Sequence, residues 1–526
     1  MADKKVTGYL LAAALWIVLL GILAMATKYF VMPYFEDELE DETGSESRYQ
    51  YEITVATDSF SGYSILRSPV MKSQLKGQGC KLTVHDDQAD LESRMEALSD
   101  GDLQMAVFTV DSLLTLGARY TSFPGSIVMI IDETKGADAM VAYRGAVDSL
   151  QDLDDPKARI VLTPRSPSEF LARTVIAHFN LPNLPDRWWV EAEGAGDVYR
   201  KFRSADKTKR IAYALWEPYV SKALEIPDAH LLLDSSKLKG FIVDVLVAER
   251  RFLRDHPDRV KALVEAYFQA AYAYGCKAEG MQQLVMDDAK TLGAEALTSD
   301  QAGKLVKGIE WKNTLENYAY FGLLPAGESK GMQHIEDIIN NITSVLIKTG
   351  ALKNDPIEGK AHTLFYDKIL RELQASGFHP GKKVNVIDGL GLGMDDLDGI
   401  RNEAVSRALS DAEWASLIPV GEMRIKPISF ARGTARINIQ SQRDLAELSR
   451  NLKAWPQYYL IVTGHARAEG DKEANLKLAK ERAGAAADYI VSTGIDASRI
   501  RPDAALPRGG NGEAQTVSFI LGQVPY

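Results

Sequence analysis

The stretch TGHARAEGDKEANLKLAKERAG, residues 463–484, carries arginines and acids close enough in sequence to build one polar site. A guanidinium takes a carboxylate through two parallel N–H bonds, so Arg482, alone or with Arg467, can hold an anionic group. Asp471 and Glu469 on the same stretch would instead favour an ammonium. A second candidate is the start of SPSEFLARTVIAHFN, opened by Ser166 or Ser168. Backbone N–H groups at that turn suit an anionic head group, and the same serines serve equally as helix caps. No catalytic constellation is legible: the chain has no H-E-x-x-H, no paired Cys and His, and no G-x-S-x-G. GLGLG (389–393) lacks the spacing and following acid of a dinucleotide loop, no Walker lysine follows it, and Asp395, Asp396 and Asp398 miss the calcium-loop spacing. A non-catalytic protein with no cofactor and no metal is expected.

The elements that would position these groups alternate along the chain. YEITVATDSF and CKLTVHD are short β-like runs, and DLESRMEALSDGDLQMAVFTVDSLL reads as helix, turn, strand, helix. ARIVLT and AHLLLDSS are strands, RIAYALWEPYVSKALE is a strand running into a helix, and residues 249–375 are largely helical. Strands alternating with helices predict parallel α/β sheets. Residues 379–424, rich in Gly and Asp and closed by a proline, read as a connector. Beyond it lie a strand-pair signal (ISFARGTARIN), a helix with Ser441 and Asp444 in capping-box-like spacing, a buried strand (YYLIVTGHA), and a long helix ended by Gly494.

At 526 residues the chain is too long for one core, and its net charge of −11 argues against nucleic acid as a partner. The cysteines, Cys80 and Cys276, give no metal-ligand spacing; a disulfide between them and two buried thiols both remain open. GYLLAAALWIVLLGILAMA, from Gly8 to Ala26, is uncharged and long enough to span a membrane as a helix. Lys4 and Lys5 precede it and EDELEDE follows, which places the N-terminus in the cytoplasm and the bulk outside. AMA at 24–26 also fits a signal-peptide cleavage site, but the length of the run and the flanking Lys28, Tyr29 and Tyr34 favour a retained single-pass anchor. The run holds no Asp, Glu or His, so it reads as a tether and not a proton path.

GDLQMAVFTVDSLL, SPSEFLARTVIAHFNL and especially ALWEPYVSKALE followed by VLVAERRFLRDHPDRVKALVEAY resemble the periplasmic solute-binding proteins of the nitrate, sulfonate and taurine class, the substrate-binding components of ABC transporters. The resemblance implies a type II bilobal fold: lobe one at about 50–140 and 240–375, lobe two at about 145–235, and a ligand in the crevice at the strand carboxyl ends. The ligand candidates it implies are Ser61, Tyr63, Thr109, Asp111, Ser166, Ser168, Trp216, Glu217 and Asp244. The implied ligand is a small molecule, anionic or zwitterionic. Acids at Asp58, Asp111, Glu217 and Asp244 point to an amine on the ligand as well as an acid.

Residues about 425–525 resemble the OmpA-like peptidoglycan-binding domain. Gly464 and His465 match its turn, and Asn475, Leu478, Arg482, Ala483, Gly494 and Ile495 match at the family's spacing. In that family the turn's acid holds the ammonium of the peptide stem and the helix arginine holds its carboxylate. Here Arg467 occupies the acid's position, and a late arginine-rich strand is replaced by AQTVSFIL. Asp471 or Glu469 substitutes for the acid, or Arg467 and Arg482 together bind an anion, or the fold binds a protein. His465 reads as structural. The implied peptidoglycan site is Arg482, Asn475, Arg467 and Asp471.

The expected organisation is an anchor (1–35), an acidic spacer (36–48), a bilobal domain (49–378), a linker (379–424) and an OmpA-like α/β domain (425–526). The expected function is that of an inner-membrane periplasmic ligand-binding protein, a sensor or transport-associated receptor, tethered to peptidoglycan. The alternative is a structural subunit beside a membrane-protein partner, with a ligand-free binding-protein fold.

Overall fold

The structure is a computed structural model and describes residues 49–217, 219–276, 279–293, 297–324, 333–381, 407–466, 470–505 and 517–524. The apolar run at 8–26, GLGLG and Asp395, Asp396 and Asp398 lie outside these. Among the described residues no helix is long and apolar enough to cross a membrane.

Strand β1 (Tyr51–Thr57) pairs in parallel with β2 (Cys80–Asp86) on one side. Helix α1 (Leu91–Asp100) leads into β3 (Met105–Thr109), which pairs in parallel on the other side of β1. Helix α2 (Val110–Gly117) starts where β3 ends, capped by Thr109, whose Oγ1 accepts the Ser112 N–H at 3.4 Å. Strand β4 (Gly125–Thr134) is buried at every residue, as its unbroken apolar run SIVMII requires.

The chain then crosses into a second sheet, built from β5 (Asp138–Tyr143), β6 (Arg159–Leu162), β7 (Trp189–Glu191), β8 (Ile211–Trp216) and β9 (Ala229–Asp234) in the order β7-β6-β8-β5-β9. Helix α3 (Pro167–His178) packs on it. Ser166 caps α3, accepting the Glu169 N–H at 3.2 Å, and Pro167 occupies the first helical position, where a missing N–H costs nothing. Of the two candidate opening serines, Ser166 is therefore the cap. Helix α4 (Tyr219–Leu224) follows β8.

Strand β10 (Val243–Glu249) returns to the first sheet and inserts antiparallel between β3 and β4. Helix α5 (Pro257–Gly275), strand β11 (Ile309–Trp311) and helix α6 (Ile335–Lys348) complete lobe one, whose order is β11-β4-β10-β3-β1-β2. In α6 the residues Ile335, Ile338, Ile339, Ile342, Val345 and Leu346 are buried at helical spacing, each worth about 1.5–3 kcal/mol of burial. The first crossing falls at 134–138, earlier than expected, because β5 already belongs to lobe two. The two crossing strands are tied: Gly136 N–H donates to Ser235 Oγ at 2.7 Å and Thr134 N–H to the Ile242 carbonyl at 3.1 Å. Beside them Glu133 accepts from Lys135 and Lys312, each at 3.2 Å. Burial would raise its carboxyl, but the two lysines outweigh that and hold it at about 2.

The C-terminal unit has its own four-stranded sheet, from β12 (Ile418–Glu422), β13 (Tyr459–His465), β14 (Ile500–Ala505) and β15 (Val517–Gln523) in the order β12-β15-β13-β14. Helices α7 (Ile439–Lys453) and α8 (Lys472–Ser492) pack together, and α8 lies against the sheet. Three expectations need correction. Strand β12 lies inside the expected linker, so the folded unit begins before residue 425. ISFARGTARIN forms no strand pair: Gly433, at φ 70°, turns it into a loop closed by a single bridge, Phe430–Ile437. Asn438 caps α7, since its Oδ1 takes the Ser441 N–H at 2.8 Å, while Ser441 turns inward to accept the Ser429 N–H at 2.9 Å.

This unit docks on the bilobal one. Trp455, fully buried, donates from Nε1 to His178 Nδ1 at 3.1 Å and packs edge-on against His178 and Phe179. Backbone bonds run from Arg424 N–H to the His178 carbonyl at 2.6 Å, from Asn180 N–H to the Glu422 carbonyl at 2.8 Å, and from Lys239 N–H to the Ala454 carbonyl at 3.0 Å. Burial and Lys348 push the His178 imidazole down to about 3, so it stays neutral and can accept the indole proton. Lobe one contributes an ion pair, Lys348–Glu447, at 2.6 Å.

Candidate functional site

The carboxyl ends of β1, β3 and β4 and the start of β10 meet beneath the junction of the lobes. Asp132 on β4 and Asp244 on β10 are direct cross-strand neighbours, both buried. No N–H or O–H donor reaches either Asp132 oxygen among the described residues, an arrangement that a proton shared with the Asp244 carboxyl would satisfy. Burial first, then Asp244, pushes Asp132 well above the usual carboxylate range. Burial also raises Asp244, to about 6, against the hydrogen bond it accepts from the Tyr63 hydroxyl at 2.6 Å. Across the junction, Asp138 on β5 accepts from Ser168 Oγ at 2.6 Å and is pushed up to about 7 by burial. Asp111, on the first turn of α2, is raised to about 7 by burial, with Glu169 and Asp244 adding to the effect.

Distinct from this acidic floor, none of whose strand residues lines it, a cavity of about 200 Å³ is walled by α2 of lobe one and α3 of lobe two. Its polar lining comes from Asp111 and Arg119 on one side and Arg165, Ser166, Glu169 and Arg173 on the other. Glu92 takes Arg119 at 3.0 Å and Arg165 at 2.6 Å, an ion pair that crosses between lobes. Arg173 pairs with Glu169 at 2.5 Å and donates to the Thr349 carbonyl at 3.1 Å.

The expected ligand residues divide accordingly. Asp111 and Ser166 face the cavity; Tyr63 and Asp244 bond to each other in the floor; Ser168 holds Asp138, whose strand partner is Trp216. Thr109 caps α2, and Ser61 opens a short 3-10 turn (Ser61–Tyr63). Glu217 is turned back onto its own chain, accepting from the Ser221 hydroxyl at 2.8 Å. The anion-binding turn expected at Ser166–Ser168 is largely spent: Pro167 has no N–H, and the Ser166 hydroxyl already holds that of Glu169. Asp132, Asp138 and Glu169 were not singled out from sequence. The legible signal was an acid closing an apolar strand, as in SIVMIID for Asp132.

In the C-terminal unit Arg482 is only 5% exposed. Its Nε donates to the Thr434 carbonyl at 3.0 Å, and its guanidinium stacks over the Phe430 ring at 5.1 Å, so the loop around Gly433 is the shelf on which it rests. Asp471 caps α8, taking the N–H groups of Glu473 and Ala474 at 3.0 and 3.2 Å, and Asn475 sits on the helix's first turn. Arg467 and Glu469 lie outside the described residues. His465 bonds Ser518 Oγ at 2.8 Å. A Cβ at Gly464 would collide with the Ala479 carbonyl, so glycine lets β13 approach α8 closely.

Residues 429–515 match the OmpA family. The chain is 38% identical over 74 residues to the peptidoglycan-associated lipoprotein of Mesorhizobium japonicum and 34% identical over 74 residues to that of Brucella melitensis biotype 1; each match covers 14% of this chain and 44% of the relative. The chain thus spans less than half the length of the curated relatives it matches. Solved structures similar to this chain include the periplasmic aliphatic sulphonate binding protein SsuA from Escherichia coli, at 13% identity, TM-score 0.45, and coverage of 60% of this chain and 92% of that one. The periplasmic nitrate-binding protein NrtA from Synechocystis PCC 6803 aligns at 12% identity, TM-score 0.42, and coverage of 62% and 88%. The chain joins a bilobal unit, twice crossed between its two sheets, to a C-terminal region that matches the OmpA family.

Proposed function

We propose that this chain is a periplasmic ligand-binding protein, a sensor or transport-associated receptor, held to peptidoglycan by its OmpA-like region and to the inner membrane by residues 1–35. The observation that carries the reading is the union in one chain of an interlobe cavity and an OmpA-like region. The uncharged run at 8–26 supports the membrane placement, with the N-terminus cytoplasmic and the bulk periplasmic. Wall contact draws support from the peptidoglycan-associated relatives and from Arg482 at the position of the family's helix arginine.

The full chain should co-sediment with purified peptidoglycan. Arg482→Gln should weaken retention roughly tenfold or more, the worth of one charge-assisted pair. Arg467→Asp, which restores the family's acid, should strengthen it. Failure of the unmodified chain to sediment would sink the wall-binding reading and turn attention to a protein partner.

One observation favours the second reading, a structural subunit beside a membrane-protein partner: the C-terminal unit spans both lobes and the crossing strands, as a rigid brace would. Thermal stabilisation by a small molecule separates the two, since only a receptor gains stability as RT ln(1 + [L]/Kd).

A further inference from the structure

We propose that the interlobe cavity takes a small organic cation, its ammonium group seated against Asp111; this rests on the receptor reading above. The charge inventory of the lining carries the inference. Arg119 and Arg165 share Glu92, and Arg173 is committed to Glu169. Glu169 is satisfied twice, by Arg173 and by the Arg165 backbone N–H at 2.5 Å. Asp111 is different. Its Oδ1 is buried with no hydrogen-bond partner, no described arginine or lysine pairs with it, and the neighbour that favours its charged form is the neutral Thr109 hydroxyl.

The buried cations nearby are already engaged. Arg94 is held by Asp87 at 2.6 Å and Asp58 at 3.2 Å, and Lys312 by Glu310 at 2.7 Å and Glu133 at 3.2 Å. An anion seated against Asp111 would face a buried carboxyl, and the two guanidiniums that share the single Glu92 are more than half exposed. An ammonium supplies the missing partner. Leu91, Leu116 and Phe170 line the same space and would cover the hydrocarbon part. The volume, about 200 Å³, lies below the roughly 300–1,000 Å³ of drug-sized sites and so restricts the cation to a small one.

Thermal shift and calorimetric titration of the full chain with ethanolamine, β-alanine and ethanesulfonate test the proposal. Ethanolamine and β-alanine should raise the melting temperature by a few degrees at saturation, and ethanesulfonate should not. Asp111→Asn should weaken amine binding at least about tenfold while melting higher than the unmodified chain, because a buried carboxylate has been replaced by a neutral amide. A merely structural Asp111 would lower the melting temperature instead. Ala351→Leu, which narrows the cavity without touching Asp111, should also abolish the amine response and covers the case in which Asp111→Asn fails to fold. Stabilisation by ethanesulfonate alone would overturn the cation assignment and leave the receptor reading standing. No response to any of the three would overturn the assignment and count against the receptor reading as well.

Discussion

Raising the pH from 5 to 7.5 is expected to lower the melting temperature of this protein, the reverse of the usual behaviour of carboxylate-rich folds. Asp111 and Asp138 titrate near 7 in the folded chain, Asp244 near 6, and Asp132 well above its ordinary value, whereas all would titrate near 4 once unfolded. Between those limits the folded state binds more protons, so stability falls as pH rises through the window. His178 works in the opposite sense: its folded value of about 3 means stability is lost as pH drops below about 6.5. The three acids at about 6 to 7, set against the one depressed histidine, leave a net loss of roughly 4 kcal/mol from pH 5 to 7.5, or roughly 5–10 °C, and Asp132 acts in the same sense. Asp132→Asn, which keeps a donor toward Asp244 without needing a shared proton, should flatten the slope. Calorimetry across this range decides the matter, and a melting temperature that climbs steadily to pH 7.5 would show that these acids are ionised in the folded chain.

Trp455→Ala should have the largest single-residue effect. The indole is fully buried, packs against His178, Phe179 and Tyr458, and donates the bond that joins the C-terminal unit to lobe two. Truncation leaves a cavity and an unpartnered imidazole, at a cost of about 3–5 kcal/mol. Because that cost falls at the junction, the variant should melt in two resolved calorimetric transitions where the unmodified chain melts in one. His178→Phe tests the hydrogen bond apart from the packing and should cost less, about 1–2 kcal/mol. A Trp455→Ala chain that unfolds as cooperatively as its parent would mean the two units are not energetically joined there.

Alternation of β-branched runs with helical stretches made the two lobes readable, because parallel strands buried on both faces are nearly continuous apolar segments. The candidate floor was half readable. Asp244 sits at a strand end and Tyr63 on the turn that follows β1, where ligand crevices form, but Asp132 closes an apolar run that reads as core, and only the insertion of β10 beside β4 makes it a partner of Asp244. That insertion is a long-range pairing, and no local periodicity reports it. The ISFARGTARIN loop misled for a related reason: its alternation suits a strand, yet its neighbours in space are Arg482 and Ser441. In the same way β12 was hidden by Gly and Pro in IPVGE, residues tolerated there because β12 is an edge strand with a register shift between Pro419 and Gly421.

The docking of the C-terminal unit is lopsided, and this fixes which part of the molecule can move. Its hold on lobe two and the crossing strands consists of a buried indole, edge-on ring contacts and backbone hydrogen bonds. Its hold on lobe one includes the Lys348–Glu447 ion pair, about a third to a half exposed and so worth at most about 1 kcal/mol. Any opening of the lobes would break the weaker contact first. Lobe two would then stay fixed to the OmpA-like region as a stationary frame, and lobe one, with Asp111 and most of the acidic floor, would be the part that swings.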